Sequence, residues 1–189
     1  MKHHTVLEMI QESADLKQKM VSLAPTIEKA AEMIEASLRK GHKVLLAGNG
    51  GSASQASHIA AEFTGRYKLE RKSLPGIALS TDLSAVTAIS NDYVYEAVFS
   101  RQLEGLGNTG DVFIALSTSG NSSNLIKALE VARNKGIKTI SLLGKDGGKM
   151  KGKADIDLIV PSSNTPRIQE CHLLILHIIC EVVEGRMFS

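Results

Sequence analysis

Ser117-Thr118-Ser119-Gly120-Asn121-Ser122 sets four hydroxyls into six positions around a glycine. Hydroxyls and backbone N–H groups together can coordinate phosphate oxygens without any lysine. An N-cap serine would account for one of the four, so the cluster favours an anionic ligand. A second loop, Gly48-Asn49-Gly50-Gly51-Ser52, lets the backbone approach an anion just ahead of a helix N-terminus. It is not a P-loop, because no Lys-Ser/Thr pair follows the glycines. It is not a dinucleotide fingerprint either, because the third glycine is missing. Taken alone, it reads equally well as a tight strand-to-helix turn.

Titratable candidates lie on helical stretches. Glu62 comes ten residues after Ser52 among Ile59, Ala60, Ala61 and Phe63, apolar neighbours that argue against a purely solvated position. His177 interrupts the apolar run of the last helix, and by itself reads best as a core histidine bonded to a backbone carbonyl. His58 is four residues before Glu62, on the same helix face. Gln169, Leu173 and His177 share one side of the last helix at the same spacing. An imidazole and a carboxylate four apart, joined by a second imidazole, could hold a divalent metal. From spacing alone, such pairs are more often coincidence. His172 lies ~140° around the helix from His177, which assigns it to structure. Asn91-Asp92 reads as an ordinary turn.

These groups need a scaffold. Five short, continuously apolar runs (Val44–Ala47, Ile77–Ser80, Val112–Leu116, Thr139–Leu143 and Ile156–Val160) alternate with helical patterns. Such runs indicate strands buried on both faces, hence a five-stranded parallel sheet with helices on either side, a three-layer α/β sandwich. Residues 1–189 form one expected domain. Within it, 1–41 is a helical extension, read as Val6–Leu23 and Ile27–Leu38, that could pack on the sheet or join subunits. In open α/β sheets ligands bind beyond the carboxyl ends of strands, where both loops fall.

The bulk composition excludes several classes. Basic and acidic residues number 22 and 20, with no basic block, which disfavours nucleic acid as a partner. The longest apolar run is too short to cross a bilayer. Cys171 and Cys180 would lie ~13 Å apart on one helix, too far for a disulfide. The expected setting is the reduced cytoplasm.

The Ser117–Ser122 and Gly48–Ser52 loops resemble those of the sugar isomerase (SIS) domain family. The segments Thr64-Gly65-Arg66-Tyr67, Ser90-Asn91-Asp92, Gly144-Lys145-Asp146-Gly147-Gly148 and Arg167-Ile168-Gln169-Glu170 resemble its phosphoheptose isomerase branch. The resemblance implies isomerisation of sedoheptulose 7-phosphate to D-glycero-D-manno-heptose 7-phosphate, the first step toward ADP-heptose for lipopolysaccharide, through an enediol. It implies Glu62 as base and His177 as acid/base. It further implies that Asn49, Gly50, Gly51, Asn91, Asp92 and Gln169 contact the sugar, with Glu62, and that Ser117, Thr118, Ser119 and Ser122 hold the phosphate. Zinc on His58, Glu62, Gln169 and His177 and a homotetramer follow from the same resemblance. One departure is Pro166, where some isomerases carry an acid. The principal alternative is a non-catalytic SIS module that binds phosphosugars and engages a replication initiator. Such a module would be expected to lose the carboxylate at 62 or the imidazole at 177. An isomerase or deaminating synthase acting on a hexose phosphate is a second.

Overall fold

The computed structural model describes residues 5–188; residues 1–4 and 189, inside the expected domain bounds, lie outside the described residues. The apolar runs form β1 (Val44–Gly48), β2 (Gly76–Ala78), β3 (Val112–Ser117), β4 (Lys138–Gly144) and β5 (Ile156–Val160). All pair in parallel, in the order β2-β1-β3-β4-β5. The helices are α1 (Val6–Lys19), α2 (Ala24–Arg39), α3 (Gly51–Thr64), α4 (Leu83–Asp92), α5 (Val98–Leu106), α6 (Ser123–Asn134) and α7 (Thr165–Phe188).

Successive strand side chains point to opposite faces, so each run feeds two cores. On one face Leu46, Ile114 and Leu142 pack with Ile34 of α2, Ile59 and Phe63 of α3, and Ile175 of α7. On the other, Leu45, Phe113 and Leu143 pack with Phe99 and Leu103 of α5 and Leu125 and Leu129 of α6. This is the three-layer sandwich expected from the sequence.

Two helix bounds depart from the apolar periodicity. The first helical run ends at Lys19 and tightens into a 3-10 turn over Met20–Leu23, which leads directly into α2 with Pro25 in its first turn. Helix α3 starts at Gly51, two residues before its apolar pattern, because Gly50 at φ +54° completes the reversal out of β1.

The strand order creates the feature that matters. From β1 the chain moves to β2 on one side, then crosses to β3 on the other. The helices that follow β1 and β3 therefore lie on opposite faces. Their N-termini diverge from adjacent strand ends and leave a crevice between them. Helix α1 is tied to the start of α7: Ser13 Oγ donates to Glu170 at 2.7 Å, and Arg167 pairs with Glu12 and Glu170. Its residues Val6, Leu7 and Ile10 remain exposed. No helix among the described residues is long and apolar enough to cross a membrane.

His172 is fully buried, with Nε2 donating to the Leu143 carbonyl at 3.0 Å. Burial lowers its pKa to about 4. The unfolded chain therefore takes up a proton that the folded chain refuses. Stability is full above the ordinary imidazole pKa and falls as pH drops from there toward 4. The shift corresponds to on the order of 3 kcal/mol across that window. Urea unfolding between pH 7 and pH 4.5 should show this decline, and His172→Leu should flatten it. An equal decline in the variant would assign the effect elsewhere.

Candidate functional site

At the crevice, β1 and β3 run in register, with Gly48 opposite Leu116. The two loops beyond them are joined by side chains. Asn49 and Asn124 exchange amide hydrogen bonds at 3.0 and 2.9 Å, and Tyr95 Oη donates to Asn49 Oδ1 at 2.8 Å. Asn124 is buried in the first turn of α6. Neither it nor Tyr95 carries a local sequence signal, since only the fold brings them to Asn49.

The hydroxyl loop is held from inside and from beside. Ser117 Oγ lies 3.0 Å from Ser122 Oγ and accepts from the Gly120 N–H at 3.1 Å. Ser122 occupies the N-cap of α6 yet makes no capping hydrogen bond to the helix. The simple capping reading of that serine therefore fails, and the helix end keeps its N–H groups facing the loop. Thr118 and Ser119 are half-buried. The loop after β4 closes against it: Met150 N–H donates to the Gly120 carbonyl at 2.9 Å, and Lys149 N–H donates to Asn121 Oδ1 at 3.1 Å. A Cβ on Gly120 would overlap the Gly147 carbonyl, and one on Gly148 would lie 2.6 Å from the Ser119 carbonyl oxygen. Both glycines have positive φ.

A second cluster forms where α3 meets α7. His58 Nε2 lies 3.0 Å from His177 Nε2 and 3.5 Å from Glu62 Oε1, and the three ligand atoms fall within 4.8 Å of one another. His177 is half-buried and bonds to no backbone carbonyl among the described residues, so it is not the satisfied core histidine that its place in the apolar run suggested. The Tyr67 ring stacks beside it, with centroids 5.8 Å apart and planes at 30°. A hydroxyl-lined cleft of about 490 Å³ borders His58, with Ser54, Ser57, Ser80 and Thr81 in its walls. A larger cleft of about 760 Å³, between α1 and the start of α7, has a mixed-charge lining of Glu8, Glu12, Asp15, Lys19 and Arg167.

The remaining candidates are distributed. The Gln169 carbonyl accepts from Gln55 Nε2 at 2.7 Å, and its own amide lies over Gly51, 2.5 Å from where a Cβ would stand. It belongs to the glycine turn, eight residues and ~12 Å of helix rise from His177. Gly50 and Gly51 are exposed in that turn. Asn91 and Asp92 end α4, exposed and bonded to each other at 3.0 Å.

An edge between two ligand atoms of a tetrahedral zinc with ~2.05 Å bonds is ~3.3 Å long. The 3.0 and 3.5 Å separations around His58 lie either side of that value, and all three atoms fall within 4.8 Å, so His58, Glu62 and His177 form an arrangement that could hold a divalent ion.

Comparison with known proteins gives one family. The SIS domain model matches residues 8–144. The chain is 57% identical to a phosphoheptose isomerase of Helicobacter hepaticus over 89% of this chain and 86% of that one. It is 51% identical to that of Aliarcobacter butzleri over 99% of both. Among solved structures, it is similar to phosphoheptose isomerase from Neisseria gonorrhoeae, with a TM-score of 0.89, 42% identity, and coverage of 95% of this chain and 97% of that one.

The contact between the two glycine-rich loops yields a direct check. Gly120→Ala forces both a left-handed alanine and a backbone collision, costing about 2–4 kcal/mol. Thermal unfolding should shift down accordingly, with sugar-phosphate affinity falling at least tenfold. An alanine variant of native stability and affinity would show that the loops are not so held.

Proposed function

We propose, for a chain that belongs to the SIS domain family and to its phosphoheptose isomerase branch, the following division of labour in converting sedoheptulose 7-phosphate to D-glycero-D-manno-heptose 7-phosphate. Ser117, Thr118, Ser119 and Ser122, with the N-terminus of α6, hold the phosphate. Asn49, Gly50 and Gly51 hold the sugar, with Asn91, Asp92 and Gln169 as further hydroxyl contacts. Glu62 takes the proton from C1 of the ketose while the C2 carbonyl oxygen gains the electron pair, giving a cis-enediolate. His177 moves a proton from the C1 oxygen to the C2 oxygen, and Glu62 returns its proton to C2. The observation that carries this reading is the convergence of Glu62 and His177 from helices far apart in the chain. A non-catalytic phosphosugar-binding module has no use for that pair.

Glu62 has two carboxylate oxygens, so one can face His58 while the other accepts a proton. Zinc on His58, Glu62 and His177 would polarise the sugar carbonyl. His177 Nε2 cannot carry a proton and bind a metal at once, so metal dependence decides between two forms of its role.

We further take the enzyme to be a cytoplasmic homotetramer with sites shared between copies. Glu62 lies eleven residues beyond Gly51, ~16 Å along α3, and so stands well separated from the strand-end loops of its own chain. A neighbouring copy presenting its phosphate loop to this cluster would bring base and sugar together, and would place its own Gln169 within reach of the metal position. The exposed Val6, Leu7 and Ile10 of α1 supply an apolar face for such packing.

Purified chain should convert sedoheptulose 7-phosphate, and Glu62→Gln or His177→Asn should each lower kcat at least 10³-fold while the fold persists. Loss of turnover on chelation, with recovery on adding zinc, assigns the metal. Turnover untouched by either substitution would remove these residues from the mechanism.

A further inference from the structure

Glu62 and His177 sit on different helices, so some other structure must fix their relative position. The segment after α3 makes that connection. The Glu184 carboxylate, two turns beyond His177 on nearly the same face of α7, accepts from the N–H groups of Tyr67 at 3.0 Å, Lys68 at 2.7 Å and Leu69 at 2.9 Å. It also accepts from Arg71 Nε at 2.7 Å. The guanidinium then turns to the end of α3, donating to the carbonyls of Glu62 at 2.8 Å and Phe63 at 3.1 Å. A third bond reaches the Lys72 carbonyl at 3.0 Å. Both side chains are nearly inaccessible, at 2% and 3%.

A helix C-terminus leaves carbonyls without intrahelical partners, and a guanidinium presents five donors in a rigid fork. Arg71 therefore satisfies the end of the helix that carries Glu62, while Glu184 fastens the same guanidinium to the helix that carries His177. The three backbone bonds to Glu184 also fix the Tyr67 backbone, and the Tyr67 ring is the one stacked on His177. Burial pushes the Glu184 pKa up, but the backbone N–H groups and the guanidinium outweigh it and hold the pKa down at about 2, so the pair remains charged at neutral pH.

We propose that Tyr67, Arg71 and Glu184 are positioning residues for the proton-transfer pair: Arg71–Glu184 sets the distance between α3 and α7, and Tyr67 fixes the plane of the His177 imidazole. This rests on Glu62 and His177 carrying the chemistry, as proposed above. None of the three needs to touch the sugar.

The test compares Tyr67→Leu, Tyr67→Phe and Arg71→Lys in the full chain. Two readouts apply: steady-state kinetics on sedoheptulose 7-phosphate, and the His177 side-chain resonances of 15N-labelled protein. Tyr67→Leu should lower kcat 10- to 100-fold with KM within about threefold, as misplacing a reacting group does. It should also broaden or split the His177 signals. Tyr67→Phe, which keeps the ring, should restore both to near wild type. Arg71→Lys should lower kcat in the same way where it folds, and where it does not, Tyr67→Leu decides. Wild-type kcat and a single sharp His177 signal in Tyr67→Leu would overturn the proposal. An inactive wild-type chain would instead remove the isomerase reading beneath it, while the His177 signals would still report whether Tyr67 orders the ring.

Discussion

The in-register parallel pairing of β1 with β3 is the constraint on which the rest depends. Because the connections leave these neighbouring strands toward opposite faces, their carboxyl ends must open into a crevice. The register sets Gly48 level with Leu116, so the glycine turn and the hydroxyl loop emerge side by side. Asn49 and Asn124 then close that spacing with reciprocal amide bonds, where a slip in register would leave buried polar groups unpaired. Neither loop carries a lysine, so in the proposed reading fixed backbone dipoles and hydroxyls would have to bind the phosphate.

Proton handling obeys a different constraint. Helices α3 and α7 present His58, Glu62 and His177 at a helix–helix contact, where side chains repack readily unless the backbones are pinned. Burying a charged pair such as Arg71–Glu184 costs desolvation that its attraction repays only when every donor and acceptor is matched. Here the carboxylate has four partners and the guanidinium reaches several carbonyls. A well-packed apolar pair could supply comparable stability, but not the directional bonds that fix one helix end against the other. The molecule thus keeps the hydroxyl and glycine loops at the strand ends apart from the His58, Glu62 and His177 cluster between α3 and α7; in the proposed reading the first recognises the anion and the second moves protons.

Much of this was legible in the chain itself. Each strand is built on a short, mainly apolar run, interrupted by Ser141 in β4 and Asp157 in β5, and that local signal needs no tertiary information. The hydroxyl loop is likewise local, and His58 with Glu62 is a four-residue spacing on one helix. His177 was ambiguous because its partner lies 119 residues away, across a packing contact that no periodicity encodes. Gln169 shows the complementary limit. Helical spacing reveals that it shares a side with His177 but says nothing of depth, and the structure lays its amide on the glycine turn. Asn124, Arg71 and Glu184 gave no clear signal, and Tyr67 only its place in the Thr64–Tyr67 segment, since each matters only through residues brought near by the fold. Glu184 beside Val182 and Val183 offered at most the hint of a carboxylate in apolar company.

The central claim is that the carbonyl migrates by proton abstraction through an enediol, and isotope incorporation reads this directly. Sedoheptulose 7-phosphate is incubated with the enzyme in D2O and the products are followed by NMR. Proton transfer through Glu62 predicts deuterium at C2 of the heptose product, accumulating as the two sugars equilibrate. Full equilibration reached over many turnovers with C2 still carrying only protium would mean that the hydrogen never enters the solvent-exchangeable pool, as in a direct C1-to-C2 hydride shift, and would contradict the account.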